Sequence, residues 1–169
     1  MDTELNQPPT SRGEITSTIF AGTVAAAVFG LLSVIANAMG LWTLDFGRIL
    51  GTFFLPPSPL AVMIGWIGHL ASGAIFAVLY LGLFRLTQIR PSAIIGGSFG
   101  FVHAFLSMAI FAVLPTLHPR PAAAGLERFT LAAFGDLTVP GLLIGHIVFG
   151  AVVGHIMQLA ERQEPATEG

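Results

Sequence analysis

Two short phrases in this chain place a histidine at the same position among the same neighbours: Ile67-Gly68-His69-x-x-x-Gly73-Ala74 and Ile144-Gly145-His146-x-x-x-Gly150-Ala151. Each lies inside a long uncharged run, so each sets an imidazole at matching depth in an apolar segment. An imidazole can hydrogen-bond, carry a proton or ligate a metal. Two of them related by a two-fold axis are what low-spin haem iron takes as axial ligands, and glycines beside them leave room for a flat macrocycle. On that reading His69 and His146 are the axial pair of a haem b electron carrier, with His103 as a further member of the site. The same three side chains are also a ligand set for copper or zinc, but few carboxylates stand near to orient them, and no metal is assigned. The plainer reading is packing. A neutral imidazole can bond to a carbonyl or hydroxyl across a helix interface, a contact that averages under about 1 kcal/mol in membranes. Ser72, Ser98 and Ser107 are the expected partners. This reading predicts no cofactor.

Other chemistry has little to stand on. The chain has no cysteine, which removes disulfides, thiolate ligands and thiol nucleophiles. Asp45, Glu127 and Asp136, all in the outer connections, are the acidic residues nearest a membrane cavity, and none forms a nucleophile and base pattern. Asp45 and Arg48 are spaced to pair, and Asp136 is placed to cap a following helix. Gly96-Gly97-x-x-Gly100 has no acidic residue at the distance a dinucleotide loop requires. No enzymatic activity is expected. All seven basic residues are arginines scattered singly in a chain of net charge -2, so nucleic acid is not an expected partner. A small transporter or channel is a further alternative, in which only histidines are available to relay protons within the spans.

The elements that carry these residues follow from composition. Of 169 residues, 54% are hydrophobic and 9% charged, with a mean hydropathy of +0.81, far outside the range of water-soluble domains. Four stretches are apolar for the roughly 20 residues that a bilayer crossing needs: about 15–39, 60–84, 91–115 and 139–160. Backbone in hydrocarbon must satisfy its own hydrogen bonds, so these are helices. Pro91 is expected in the first turn of a helix, with Pro115 marking an end and Pro140 a beginning. The expected fold class is therefore all-α, an integral membrane four-helix bundle over 15–160 between disordered tails at 1–14 and 161–169.

The connections before the second and fourth spans are long and not polar. The first contains Trp42 and Phe46, four residues apart, and the second contains Leu126 to Phe134, so both read as short amphipathic helices at the outer interface or folded over the bundle. Aligning His69 with His146 gives an offset of 77 residues and pairs the second span with the fourth and the first with the third. The expectation is a duplication, about 15–86 and 91–160, with both copies in the same orientation. His69, Gly73 and Ala77, like His146, Gly150 and Gly154, form stripes of small residues, and such stripes are where membrane helices approach. Both histidines should face inward. His155 and His118 read as separate from this layer, the latter in an outer loop. Arg12, Arg85, Arg90 and Arg162 fall on one side and Arg48, Arg120 and Arg128 on the other, which favours cytoplasmic termini.

The run from Gly68-His69 through Gly73, Ala74 and Tyr80, followed by Gly145-His146-x-x-Phe149-Gly150-x-x-x-Gly154, resembles uncharacterised small four-pass bacterial membrane proteins, families of unknown function. The resemblance covers about 15–160 and implies a bacterial inner-membrane location and a four-helix fold, with no site residues to carry over. The expected role is a non-enzymatic membrane subunit or scaffold, with the lipid bilayer and a homodimer or larger membrane complex as its partners.

Overall fold

The computed structural model describes residues 11–126 and 135–163. They form six helices: α1 (Arg12–Ala38), α2 (Phe46–Phe54), α3 (Pro59–Thr87), α4 (Ala93–Leu117), α5 (Pro121–Ala124) and α6 (Thr138–Gln163). Helices α1, α3, α4 and α6 are each long and apolar enough to cross a membrane, with mean hydropathies of 1.8 to 2.3 in their most apolar windows. Packed together, they give an all-α, four-pass integral membrane protein. The expected tails and the Leu126 to Phe134 helix fall largely outside the described residues.

Local sequence sets the helix starts. Ser11 accepts from the Glu14 N–H at 3.0 Å, so α1 begins three residues ahead of the expected Ile15. Ser58 caps α3 with Pro59 in its first turn, and Ser92 caps α4 through the Ile95 N–H. Pro91 therefore precedes the cap of α4 and does not occupy its first turn, as the sequence had suggested. Pro115 likewise does not end α4, which runs two residues further. Asp136 stands one residue ahead of the position that would cap α6.

Small residues decide which helices touch. Along α3, Ala61, Gly65, His69, Gly73 and Ala77 fall on one buried stripe. The half nearer the α3 C-terminus meets α1, where a methyl group on Gly22 would strike the Gly73 carbonyl and one on Gly73 the Ala26 side chain. The half nearer the N-terminus receives α2, whose Gly47 and Gly51 lie against Gly65 and Ala61. In the same way Gly96 and Gly100 of α4 interlock with Gly150 and Gly154 of α6. α1 also packs on α6, whereas α3 and α4 share no extended backbone contact. The cause is side-chain size. Where α3 faces α4 stand Phe76, Tyr80 and Phe84 opposite Phe99 and His103, and their rings wedge the two helices apart.

Helix α2 is amphipathic, as expected, and folds over the bundle. Trp42, however, lies ahead of it, so the expected face shared with Phe46 does not form. Trp42 donates from Nε1 to the Ser33 carbonyl at 3.1 Å and its ring covers Gly141. Asp45 accepts from the Arg48 N–H as the cap of α2, while the Arg48 Nε donates to the Ala123 carbonyl at 2.6 Å. The pair expected at this spacing is thus a backbone cap. At the other end of α2 the Thr52 carbonyl has Pro56 four residues on, which brings no N–H. Arg120 Nη1 donates to that carbonyl at 3.1 Å, and His118 Nε2 donates to the Ile49 carbonyl at 3.0 Å. His118 is buried by this contact. Arg120→Ala should therefore cost about 1 kcal/mol, read as faster amide hydrogen exchange over 46–54 with α1 and α4 unchanged. The opposite end of the bundle carries a bidentate Glu14 to Arg85 ion pair joining α1 to α3, with Arg90 and Glu161 close by.

Candidate functional site

The two matching phrases place their residues alike. Ile67 and Ile144 face outward at 56% and 59% exposure, and His69 and His146 face inward at 9% and 7%. They differ at the intervening glycine. Gly68 has open space around it, whereas Gly145 lies under the Phe29 ring.

His69, His103 and His146 line one cavity of about 230 Å³, between an apolar cluster around Phe84 and Met157 and another around Phe46 and Leu142. Each imidazole bridges a different pair of helices. His69 of α3 donates from Nε2 to the Ala26 carbonyl of α1 at 3.1 Å. His103 of α4 holds its Nδ1 3.3 Å from the Tyr80 hydroxyl of α3. His146 of α6 has Nε2 2.9 Å from the Ser107 hydroxyl of α4, and its Nδ1 donates to the Leu142 carbonyl at 2.7 Å. In the neutral ring with Nδ1 donating, Nε2 accepts from the Ser107 hydroxyl. Of the three expected serine partners only Ser107 reaches a histidine ring. Ser72 donates to the His69 carbonyl in its own helix and Ser98 to the Ile94 carbonyl. His155 lies exposed on α6, away from the layer.

Aromatic rings fix the imidazoles further. Phe46 of α2 stacks on His69 with centroids 4.9 Å apart and planes within 4°. Phe29 lies edge-on to His146 at 4.9 Å and to His69 at 6.2 Å. His103 and His146 meet edge to face at 4.7 Å. The rings touch as hydrocarbon does, and among the described residues no three His, Asp or Glu side chains converge to hold a metal ion. The arrangement offers hydrogen bonds to a neutral guest and a wall of aromatic carbon, with no Asp, Glu, Lys or Arg among the side chains that line it.

Sequence reasoning missed α2 as part of this site and Tyr80 as a partner. The Gly47-x-x-x-Gly51 spacing and the extension of the α3 stripe back through Gly65 to Ala61 are the signals that mark α2 as docked. No protein-family model, curated protein or solved structure matches this chain.

Proposed function

We infer that this chain is a non-enzymatic membrane subunit or scaffold whose buried histidines serve as neutral cross-helix ties. The observation that carries this reading is the bridging pattern: one tie joins α3 to α1, one α4 to α3 and one α6 to α4. Haem ligation is less favoured, because each Nε2 of the proposed axial pair faces a protein oxygen and Phe29 lies against both rings. An origin by duplication is supported by packing. Gly22 and Ala26 stand to Gly73 as Gly96 and Gly100 stand to Gly150. That register sets α1 on α4 at an offset of 74 residues against the 77 of α3 on α6, so the single offset expected from the histidine phrases does not hold across both helix pairs, and it places Phe29 of α1 where α4 has His103. Cytoplasmic termini are supported by the arginines at 12, 85, 90 and 162, while a bacterial inner-membrane location rests on the family resemblance alone.

Single replacement of His69, His103 or His146 by Leu is expected to lower stability by about 1 kcal/mol each in reversible detergent unfolding, with no chromophore lost. A reduced-minus-oxidised spectrum of the purified wild type showing a haem band that vanishes in both His69→Leu and His146→Leu would replace this reading with bis-histidine haem binding.

A further inference from the structure

The ties leave part of the histidine layer unused. Both ring nitrogens of His146 are occupied, but His69 uses only Nε2 and His103 only Nδ1. His69 Nδ1 and His103 Nε2 have no protein partner, although both side chains are more than nine-tenths buried and line the cavity. The enclosed side-chain polar atoms without a partner among the described residues are the Thr18 and Thr138 hydroxyls, so these two ring nitrogens are open to the cavity they line and can hydrogen-bond to a guest in it.

The cavity restricts what that partner is. Apolar cavities of about 150 Å³ already accept benzene, so about 230 Å³ admits one substituted six-membered ring. Its walls include Phe29, Phe46, Phe76 and Phe149, which suit a flat π-system. No charged side chain lines it, so the guest is neutral. Access is from the bilayer. Helix α2 covers the cavity with Phe46 and Ile49, whereas the aromatic wedge parts α3 from α4 and leaves Ile110 at the rim 46% exposed. A guest that enters by this side partitions from lipid and can leave an alkyl tail there.

We propose that the cavity between α3 and α4 binds the ring of a lipid-soluble quinone or quinol, held between phenylalanines with its oxygens at His69 and His103 and its tail in the bilayer. With Nε2 donating to Ala26, the neutral His69 ring offers a lone pair at Nδ1 that accepts from a quinol hydroxyl; with Nδ1 accepting from Tyr80, the His103 ring offers an N–H at Nε2 that donates to a quinone or quinol oxygen, so the quinol is held at both rings and the quinone at His103 alone. This goes beyond the scaffold reading and uses the nitrogens that the scaffold does not.

The test is titration of the full chain in phosphatidylcholine nanodiscs with decyl-ubiquinone, read as quenching of Trp66, which stands edge-on to His69 at 5.6 Å. Saturable quenching is expected. His103→Leu should weaken it by about tenfold through loss of one hydrogen bond, whereas His69→Leu should do so with decyl-ubiquinol, whose hydroxyl donates to Nδ1, and not with decyl-ubiquinone. Ser72→Leu should abolish it by filling the cavity, and its hydroxyl bonds only within α3, so the three cross-helix ties survive. Quenching that rises only linearly with quinone in the membrane overturns the proposal. So does saturable quenching unchanged by Ser72→Leu, or equal competition by decylbenzene, which has the ring and tail without the oxygens.

Discussion

Gly96→Leu is expected to prevent the bundle from assembling, at a cost of about 3 kcal/mol or more. Any side chain on Gly96 meets the Gly150 carbonyl and the Gly154 Cα, which are backbone of the facing helix and have no rotamer to turn away. The only relief is to push α6 off α4, which also breaks the Ser107 to His146 tie. In lipid no hydrophobic term compensates, because helix association there rests on close packing. Gly97 is the internal control. A methyl group there finds its nearest neighbour, the Ile147 carbonyl, at an ordinary 3.6 Å, and alanine improves helix propensity by up to about 1 kcal/mol. Gly97→Ala should therefore purify as wild type or slightly more stable, and Gly96→Leu should aggregate or show a strongly lowered unfolding midpoint. Equal behaviour of the two variants would contradict the interlocked α4 and α6 pair.

Gly51→Val is expected to release α2 while the four spans stay together. The added side chain would strike the Ala61 carbonyl at the point where α2 lies on α3, and the cost is about 2–3 kcal/mol. The effect is local, since the α1 and α3 contact lies farther along the stripe at Gly22 and Gly73. A cysteine-free chain gives a direct readout. An Ile49→Cys reporter, at a position 2% exposed, should resist maleimide in the parent and react readily with Gly51→Val added. Gly68→Ala, where nothing lies within 4 Å, should leave the reporter protected. Protection in both backgrounds would show that α2 is not seated through its glycines.

The four spans were legible because hydropathy and length suffice to identify them, and the inward face of His69 and His146 followed from spacing with Gly73 and Gly150. The start of α1 was also written in the chain, as Ser11-x-x-Glu14, but polarity hid it, because a polar first turn outside hydrocarbon reads as tail. Helix pairing was not legible. Small residues recur on every span and permit several partners, and the choice emerges only when Phe76, Tyr80, Phe84 and Phe99 keep α3 from α4. The ties were half legible. Ser107 was among three candidate serines, but its selection depends on α4 lying beside α6, and the Tyr80 to His103 contact depends on the wedge.

The wedge also sets how the molecule answers to its membrane. Where α1 meets α3 and α4 meets α6, backbone rests on backbone, so those pairs transmit lateral force without yielding. Between α3 and α4 the same force falls on aromatic rings that can slide and tilt, with a long hydrogen bond of 3.3 Å from Tyr80 to His103 as the polar link through the middle of the seam. Compliance is therefore concentrated along one line of the bundle. Changes in lateral pressure are expected to act first on that line, widening or narrowing it, while the packing of α1 on α6 holds the two close-packed pairs together.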